Sequence, residues 1–299
     1  MLDILAPGFK VGHFTDEHAA TGCTVVLPPA GNVTSCEIRG SSPGSRELVS
    51  LDVRRRLTEV HAVLLSGGSA FGLAAADGVM QWLAERGIGY ETTVARVPIV
   101  PAAVIFDLGR AGASRPPGPD EGRRACDAAV ERPVGRGRVG AGTGATVGKW
   151  AGPEHGVAGG VGIAAAESDG MRVGALAVVN AVGNVLAEDG TLLAGSAAPP
   201  DLPIAPRQPK SEIPVNTVLV VVATHGLLDK REVQWLAARA TDGVTKSVEP
   251  AHTRYDGDVT FAIAAPPAPD ATPVDIDVLG ALACNAVARA VRDAVRPAD

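Results

Sequence analysis

Asn216-Thr217 is the residue pair in this sequence with the most chemistry to offer, standing between a proline-rich segment and the apolar run Val218 to Thr224. A Thr at the first residue of a central strand can become a nucleophile once cleavage of the preceding peptide bond frees its own α-amine. That amine, with an ordinary pKa of about 8, then serves as the local base, and no distant His is required. Asn and Thr are also common at strand boundaries, so from these two residues alone an ordinary strand start is the commoner reading.

Other motifs are weaker. Gly67-Gly68-Ser69-Ala70-Phe71 approaches the serine nucleophile elbow GxSxG but has Phe71 where the second Gly is required. The histidines at 13, 18, 61, 155, 225 and 252 supply no triad partner at a telling spacing. VGAGTGATVGK (139–149) is loosely like a phosphate loop, yet Trp150 follows Lys149 and Gly152-Pro153 prevents the helix that a phosphate loop opens. A tight Gly-rich turn is the default there, with the backbone N–H groups of Gly142, Thr143 and Gly144 as candidate pocket donors. Cys23, Cys36, Cys126 and Cys284 lie far apart without a CxxC pair. That pattern excludes a zinc cage and suits buried thiols in a reducing compartment; neither a metal nor another cofactor is expected.

The elements that must position these groups come from a chain of 299 residues, 46% hydrophobic and 20% charged, enough apolar material for one substantial core. The net charge of −6 and the scarcity of aromatics (3%) argue against nucleic acid and anionic lipid as partners. There is no secretory signal at the start, and apolar runs such as 219–223 are too short to span a bilayer, so a soluble cytoplasmic protein is expected. Strands are read at 61–66, 159–167, 171–180, 218–223 and 259–264, with Ser168-Asp169-Gly170 as a hairpin turn. Helices are read at 69–86, 230–244 and 274–295. Ser196 to Pro214 carries six prolines and could link two domains. The strands after it need partners from before it, which favours a single α/β domain over residues 1–299 with the proline segment on its surface.

Several segments together resemble one family. They are GFKVGH (8–13), CEIRGSSPGSRE (36–47), LSGGSAFGLAAADGVMQWLAERGIG (65–89), VPIVPAAVIFDL (97–108), VGAGTGA (139–145), VGALAVVN (173–180), NTVLVVVAT (216–224) and HTRYDGDVTFAIA (252–264). The chain is similar along nearly its whole length to the P1-type, DmpA-like peptidases, the L-aminopeptidase/D-esterase and β-peptidyl aminopeptidase group. The resemblance implies an αββα sandwich of the DmpA and ornithine acetyltransferase type, completed by the C-terminal segment. It implies autoproteolysis between Asn216 and Thr217 into chains 1–216 and 217–299 that stay associated, and a homo-oligomer of the resulting unit.

On this resemblance Thr217 is the nucleophile, Asn180 falls on the family's oxyanion asparagine, and Asp256-Gly257-Asp258 falls on a Ser-Gly-Glu segment. Two departures stand out: Thr replaces Ser as nucleophile, and Asp256 replaces a serine hydroxyl. Neither Tyr90 nor Tyr255 aligns with the family's oxyanion tyrosine. The implied mechanism is an N-to-O acyl shift at Thr217, hydrolysis of that ester, then attack of Thr217 Oγ on a small peptide, amide or ester. Asn180 would stabilise the oxyanion, a donor worth about 3–4 kcal/mol. Asp256 and Asp258 would orient the freed amine or bind a substrate amine, or form a plain turn before a strand. Two rivals are an acyltransferase of the ornithine acetyltransferase type and an unprocessed binding protein.

Overall fold

The computed structural model describes residues 5–109, 115–132, 134–199, 216–267 and 274–296. Two five-stranded sheets form its centre. The first runs in the order Lys10–Asp16, Thr21–Leu27, Val63–Ser66, Ala102–Val104, Ser45–Arg46. The second runs Gly160–Ser168, Met171–Asn180, Thr217–His225, Val259–Ala265, Val33–Ile38. Four helices flank them: α1 (Ala75–Glu85), α2 (Pro119–Asp127), α3 (Lys230–Thr245) and α4 (Ile276–Asp293).

Side-chain alternation along each strand sorts residues into three apolar layers. Val218, Val220 and Val222 pack with Leu236, Ala240, Leu279 and Val287 of α3 and α4. Leu219 and Val221 point the other way, into a layer shared with Val63, Leu65 and Ala103 of the first sheet. Val25, Leu64 and Ala102 meet Ala76, Val79 and Leu83 of α1 and Ala125 of α2. The order helix, sheet, sheet, helix is therefore the expected αββα sandwich. Because both faces of Thr217–His225 are covered, its middle, Val218 to Ala223, is an unbroken apolar run with no polar alternation.

Local signals hold at the hairpin and at the helix starts. Gly160–Ser168 and Met171–Asn180 pair antiparallel in register, and the turn places Asp169 at φ 50° and Gly170 at φ 76°, the left-handed pair that a two-residue hairpin requires. Asp229 caps α3 by accepting from Arg231 and Glu232 N–H, while Glu232 reaches back to Asp229 N–H. The helix read over 69–86 divides into a 3₁₀ turn, Ser69–Ala74, and α1, and Ser69 takes φ 53° while donating its N–H to Ile105 O. Ser69 thus opens a short helix on a strained strand-to-helix turn, and the departure from a nucleophile elbow is Phe71 in place of the second Gly. Of the proline-rich segment, residues 200–215 lie outside the described residues.

Asn216 and Thr217 enter the second sheet between strands that come from both sides of them in sequence. Thr217–His225 pairs antiparallel with Met171–Asn180 and parallel with Val259–Ala265, which in turn pairs antiparallel with Val33–Ile38. The end of Met171–Asn180 and the approach to Val259 therefore converge on residue 217.

Candidate active site

Thr217 is 2% and Asn216 1% exposed, so the peptide bond between them is enclosed. Thr217 Oγ1 donates to Asn216 O at 2.5 Å. A second donor, Gly257 N–H, reaches the same carbonyl oxygen at 2.8 Å, and Asn216 N–H donates to Tyr255 O at 3.1 Å. The hydroxyl thus lies against the carbonyl of the preceding residue, and a backbone N–H already points at the oxygen that would gain charge if the carbonyl carbon were attacked. Both donors converge on the carbonyl oxygen of Asn216.

Gly257 can be there because it has no side chain. A Cβ on it would stand 2.6 Å from Ser42 O and 3.0 Å from Thr217 Oγ1. The loop 39–42, inside the CEIRGSSPGSRE segment, backs the whole turn: Arg39 and Gly40 N–H donate to Asp258 O, and Ser42 N–H to Asp256 O. Gly40 passes so close that a Cβ would meet Asp258 N at 2.0 Å.

The two carboxylates flanking Gly257 are both buried but serve different partners. Asp258 Oδ1 accepts from Val218 N–H at 2.6 Å, one residue beyond the nucleophile candidate, and its Oδ2 lies 2.7 Å from His252 Nδ1. Asp256 Oδ2 accepts from both the N–H and the hydroxyl of Thr253, at 2.7 and 2.6 Å. Asp256 Oδ1 is buried with no hydrogen-bond partner among the described residues. Burial first, and the charge of Asp258 second, push the Asp256 carboxyl up to about 6, against the opposing donors of Thr253. Below about pH 6 this carboxyl keeps its proton and can donate a hydrogen bond.

A consequence for stability follows. Asp256 binds its proton more tightly folded than unfolded, so its contribution is full below about pH 4 and is lost as pH rises through about 6. His13, lowered to about 4 by burial, acts with the opposite sign and gains stability over that range. The readout is therefore a difference. Urea unfolding of Asp256→Asn and wild type across pH 4–6.5 is expected to show the variant losing the Asp256 decline, with stability rising more steeply with pH than wild type. Parallel pH profiles would remove the protonated Asp256.

Asn180 is the cross-strand neighbour of Thr217. Its side-chain Oδ1 accepts from Thr146 N–H at 3.0 Å and from Lys149 Nζ at 2.8 Å, which fixes the amide's orientation. One proton of its Nδ2 goes to Phe106 O at 3.2 Å. Asn180 therefore stands beside Thr217 with one amide proton turned to Phe106 O, and the backbone contact on the Asn216 carbonyl comes from Gly257. Lys149 is 3% exposed and also bonds Asn180 O at 3.0 Å, setting an ammonium next to the residue paired with Thr217.

The Gly-rich turn departs from expectation at two of its three donors. Gly142 N–H is spent on Val139 O and Thr143 N–H on Gly140 O, because a 3₁₀ turn closes on its own carbonyls. Gly144 packs its Cα against Ala20 O and Asp107. The donors that the segment does send to Asn180 are the Thr146 N–H and, at its end, the Lys149 ammonium. The Ser-Gly-Gly motif contributes indirectly: Asp107, adjacent to Phe106, accepts from Gly68 N–H and Thr21 Oγ1.

Three contributors escaped the reading of the sequence: Lys149, His252 and the Gly257 N–H. Lys149 was visible as the end of the false phosphate loop, and His252 as part of the Asp-Gly-Asp segment. Neither had a spacing that tied it to residue 217.

A family model described as Peptidase family S58 matches residues 3–299. A Mycobacterium bovis protein named as an uncharacterized aminopeptidase is 41% identical over 321 residues, covering 95% of this chain and 90% of that protein. The 6-aminohexanoate-oligomer endohydrolase of an Agromyces species is 30% identical, over 88% of this chain and 74% of that enzyme. Among solved structures, a Burkholderia β-aminopeptidase matches with a TM-score of 0.72 at 21% identity, over 98% of this chain and 86% of that one. The L-aminopeptidase D-Ala-esterase/amidase of Ochrobactrum anthropi, described as a variant of the Ntn hydrolase fold, matches with a TM-score of 0.72 at 20% identity, over 98% and 85%.

Proposed function

Because the chain belongs to peptidase family S58 and is a hydrolase of that family, we propose that it cuts itself between Asn216 and Thr217 and then uses Thr217 against small peptides or amides. The observation carrying this reading is the enclosed Asn216 carbonyl, approached by Thr217 Oγ1 and by Gly257 N–H. Attack of Oγ on the carbonyl carbon gives a tetrahedral oxyanion facing Gly257. Collapse breaks the C–N bond as the hydroxyl proton passes to the departing Thr217 nitrogen, which leaves Asn216 as an ester on Thr217 Oγ and frees the amine; water then adds to that ester, releasing the Asn216 carboxylate and restoring the hydroxyl. Afterwards the amine takes the hydroxyl proton as Oγ attacks a substrate and returns it to the leaving amine. Asp258 anchors the Val218 N–H next to that amine, and Asn180 supplies the side-chain donor of the oxyanion site.

The names of the relatives support amide bonds as the target, in short peptides or in oligomers of amino acids. They give no support to transfer of the acyl group to an amine. The family resemblance and the free cysteines further support a homo-oligomer in the reducing cytoplasm. Among the described residues no helix is long and apolar enough to cross a membrane. Intact mass of the purified protein under denaturing conditions is expected to give two chains, residues 1–216 and 217–299. A single uncut chain would overturn the assignment of Thr217.

A further inference from the structure

We propose that His252 is a positioning residue for Thr217, acting through Asp258; the proposal rests on Thr217 being the nucleophile. The chain of contacts is short. Asp258 holds Val218 N–H with Oδ1 at 2.6 Å and meets His252 Nδ1 with Oδ2 at 2.7 Å. A carboxylate only accepts, so the imidazole carries its proton on Nδ1 and donates it to Asp258.

What this bond does follows from the freedom it removes. The backbone of Asp258 is already pinned, since its carbonyl accepts from Arg39 and Gly40 N–H. The terminal torsion of an Asp side chain is soft and broad. Held at one oxygen the carboxylate can turn; held at both it cannot. Its fixed oxygen sets the plane of the peptide joining residues 217 and 218. That plane sets where Thr217 presents its hydroxyl and, after cleavage, its amine.

Two features separate His252 from a ring that merely fills the core. Among the described residues its side chain makes one hydrogen bond, the one to Asp258, and its Nε2 is buried without a partner. Its backbone sits at φ 52°, a left-handed conformation that few non-Gly residues adopt. Such an outlier persists where the surroundings over-determine it, and here the contact so secured is with the carboxylate next to the nucleophile.

The test uses the full-length chain and the variants His252→Asn, His252→Gln and His252→Ala. Asn brings an amide N–H near the place of Nδ1 and tolerates the left-handed backbone. Gln carries its amide farther out, toward the place of Nε2. Self-cleavage is followed by mass after cell-free synthesis, which needs no external substrate, and turnover is measured with L-alanine p-nitroanilide. We expect Ala and Gln to slow self-cleavage and lower kcat by about tenfold to a hundredfold with KM little changed, as for a misplaced reacting group. Asn is expected to restore both. Melting curves show that the variants compared are folded, and if Ala does not fold the Asn and Gln variants decide. Wild-type rates in Ala, equal rates in Asn and Gln, or failure of both Asn and Gln to fold would each overturn the proposal. A wild-type chain that neither cuts itself nor turns over would instead remove the Thr217 assignment, and this proposal with it.

Discussion

Thr217→Ala is expected to purify as one chain, close to the 30.3 kDa of the full sequence, folded and without hydrolase activity. Among the described residues the hydroxyl makes a single hydrogen bond, to the adjoining Asn216 carbonyl, so its loss costs folding only about 0.5–1.5 kcal/mol. Removing it deletes the attacking atom of both self-cleavage and turnover, a loss of about four orders of magnitude or more. Thr217→Ser keeps the oxygen and is expected to give chains 1–216 and 217–299 again. The check is intact mass beside an activity assay. Efficient cutting of the Ala variant at the same bond would mean that another agent performs it.

Asn180 gives the second large effect, and its two ends can be tested apart. Asn180→Asp keeps an oxygen for Thr146 N–H and the Lys149 ammonium but loses the Nδ2 protons, one of which now goes to Phe106 O. Asn180→Ala loses both ends and takes an acceptor from a buried ammonium. If the amide donates to a substrate oxyanion, both variants lose about 10²–10³-fold in kcat with KM little altered, and Asp retains the higher melting temperature. Near-normal turnover in Asp with collapsed stability in Ala would make Asn180 an anchor for Lys149 and nothing more.

The layers were legible because strands covered on both faces write continuous apolar runs, as in 218–223, and because hairpin and helix ends carry short-range signals such as Asp169-Gly170. The first sixty residues were harder. Lys10–Asp16 and Thr21–Leu27 mix polar and apolar residues, since they face helices, the second sheet and the Gly-rich turn at once. The nucleophile candidate came from chemistry at a strand start and from the family resemblance. Its supports could not be read the same way. A backbone N–H such as that of Gly257 has no side chain to announce it, and Lys149 reaches Asn180 across 31 positions of sequence. Gly142 and Thr143 misled for a related reason: composition shows that a turn has N–H groups but not that the turn uses them itself.

A break at 216–217 would divide the molecule in sequence without dividing it in space. In the second sheet the strands 217–225 and 259–265 from the later piece lie between 171–180 and 33–38 from the earlier one. The earlier piece holds every strand of the first sheet and the layer under α1 and α2, but the second sheet and both apolar layers against it need the later piece, so separation of the two is the same event as unfolding of the second sheet. Before the cut, refolding is a first-order search by one molecule; after it, two molecules must meet, and recovery from denaturation becomes concentration-dependent. The cut protein would therefore be assembled once and lost by dilution after denaturation, so its lifetime would be set by the rate at which that interleaved sheet opens.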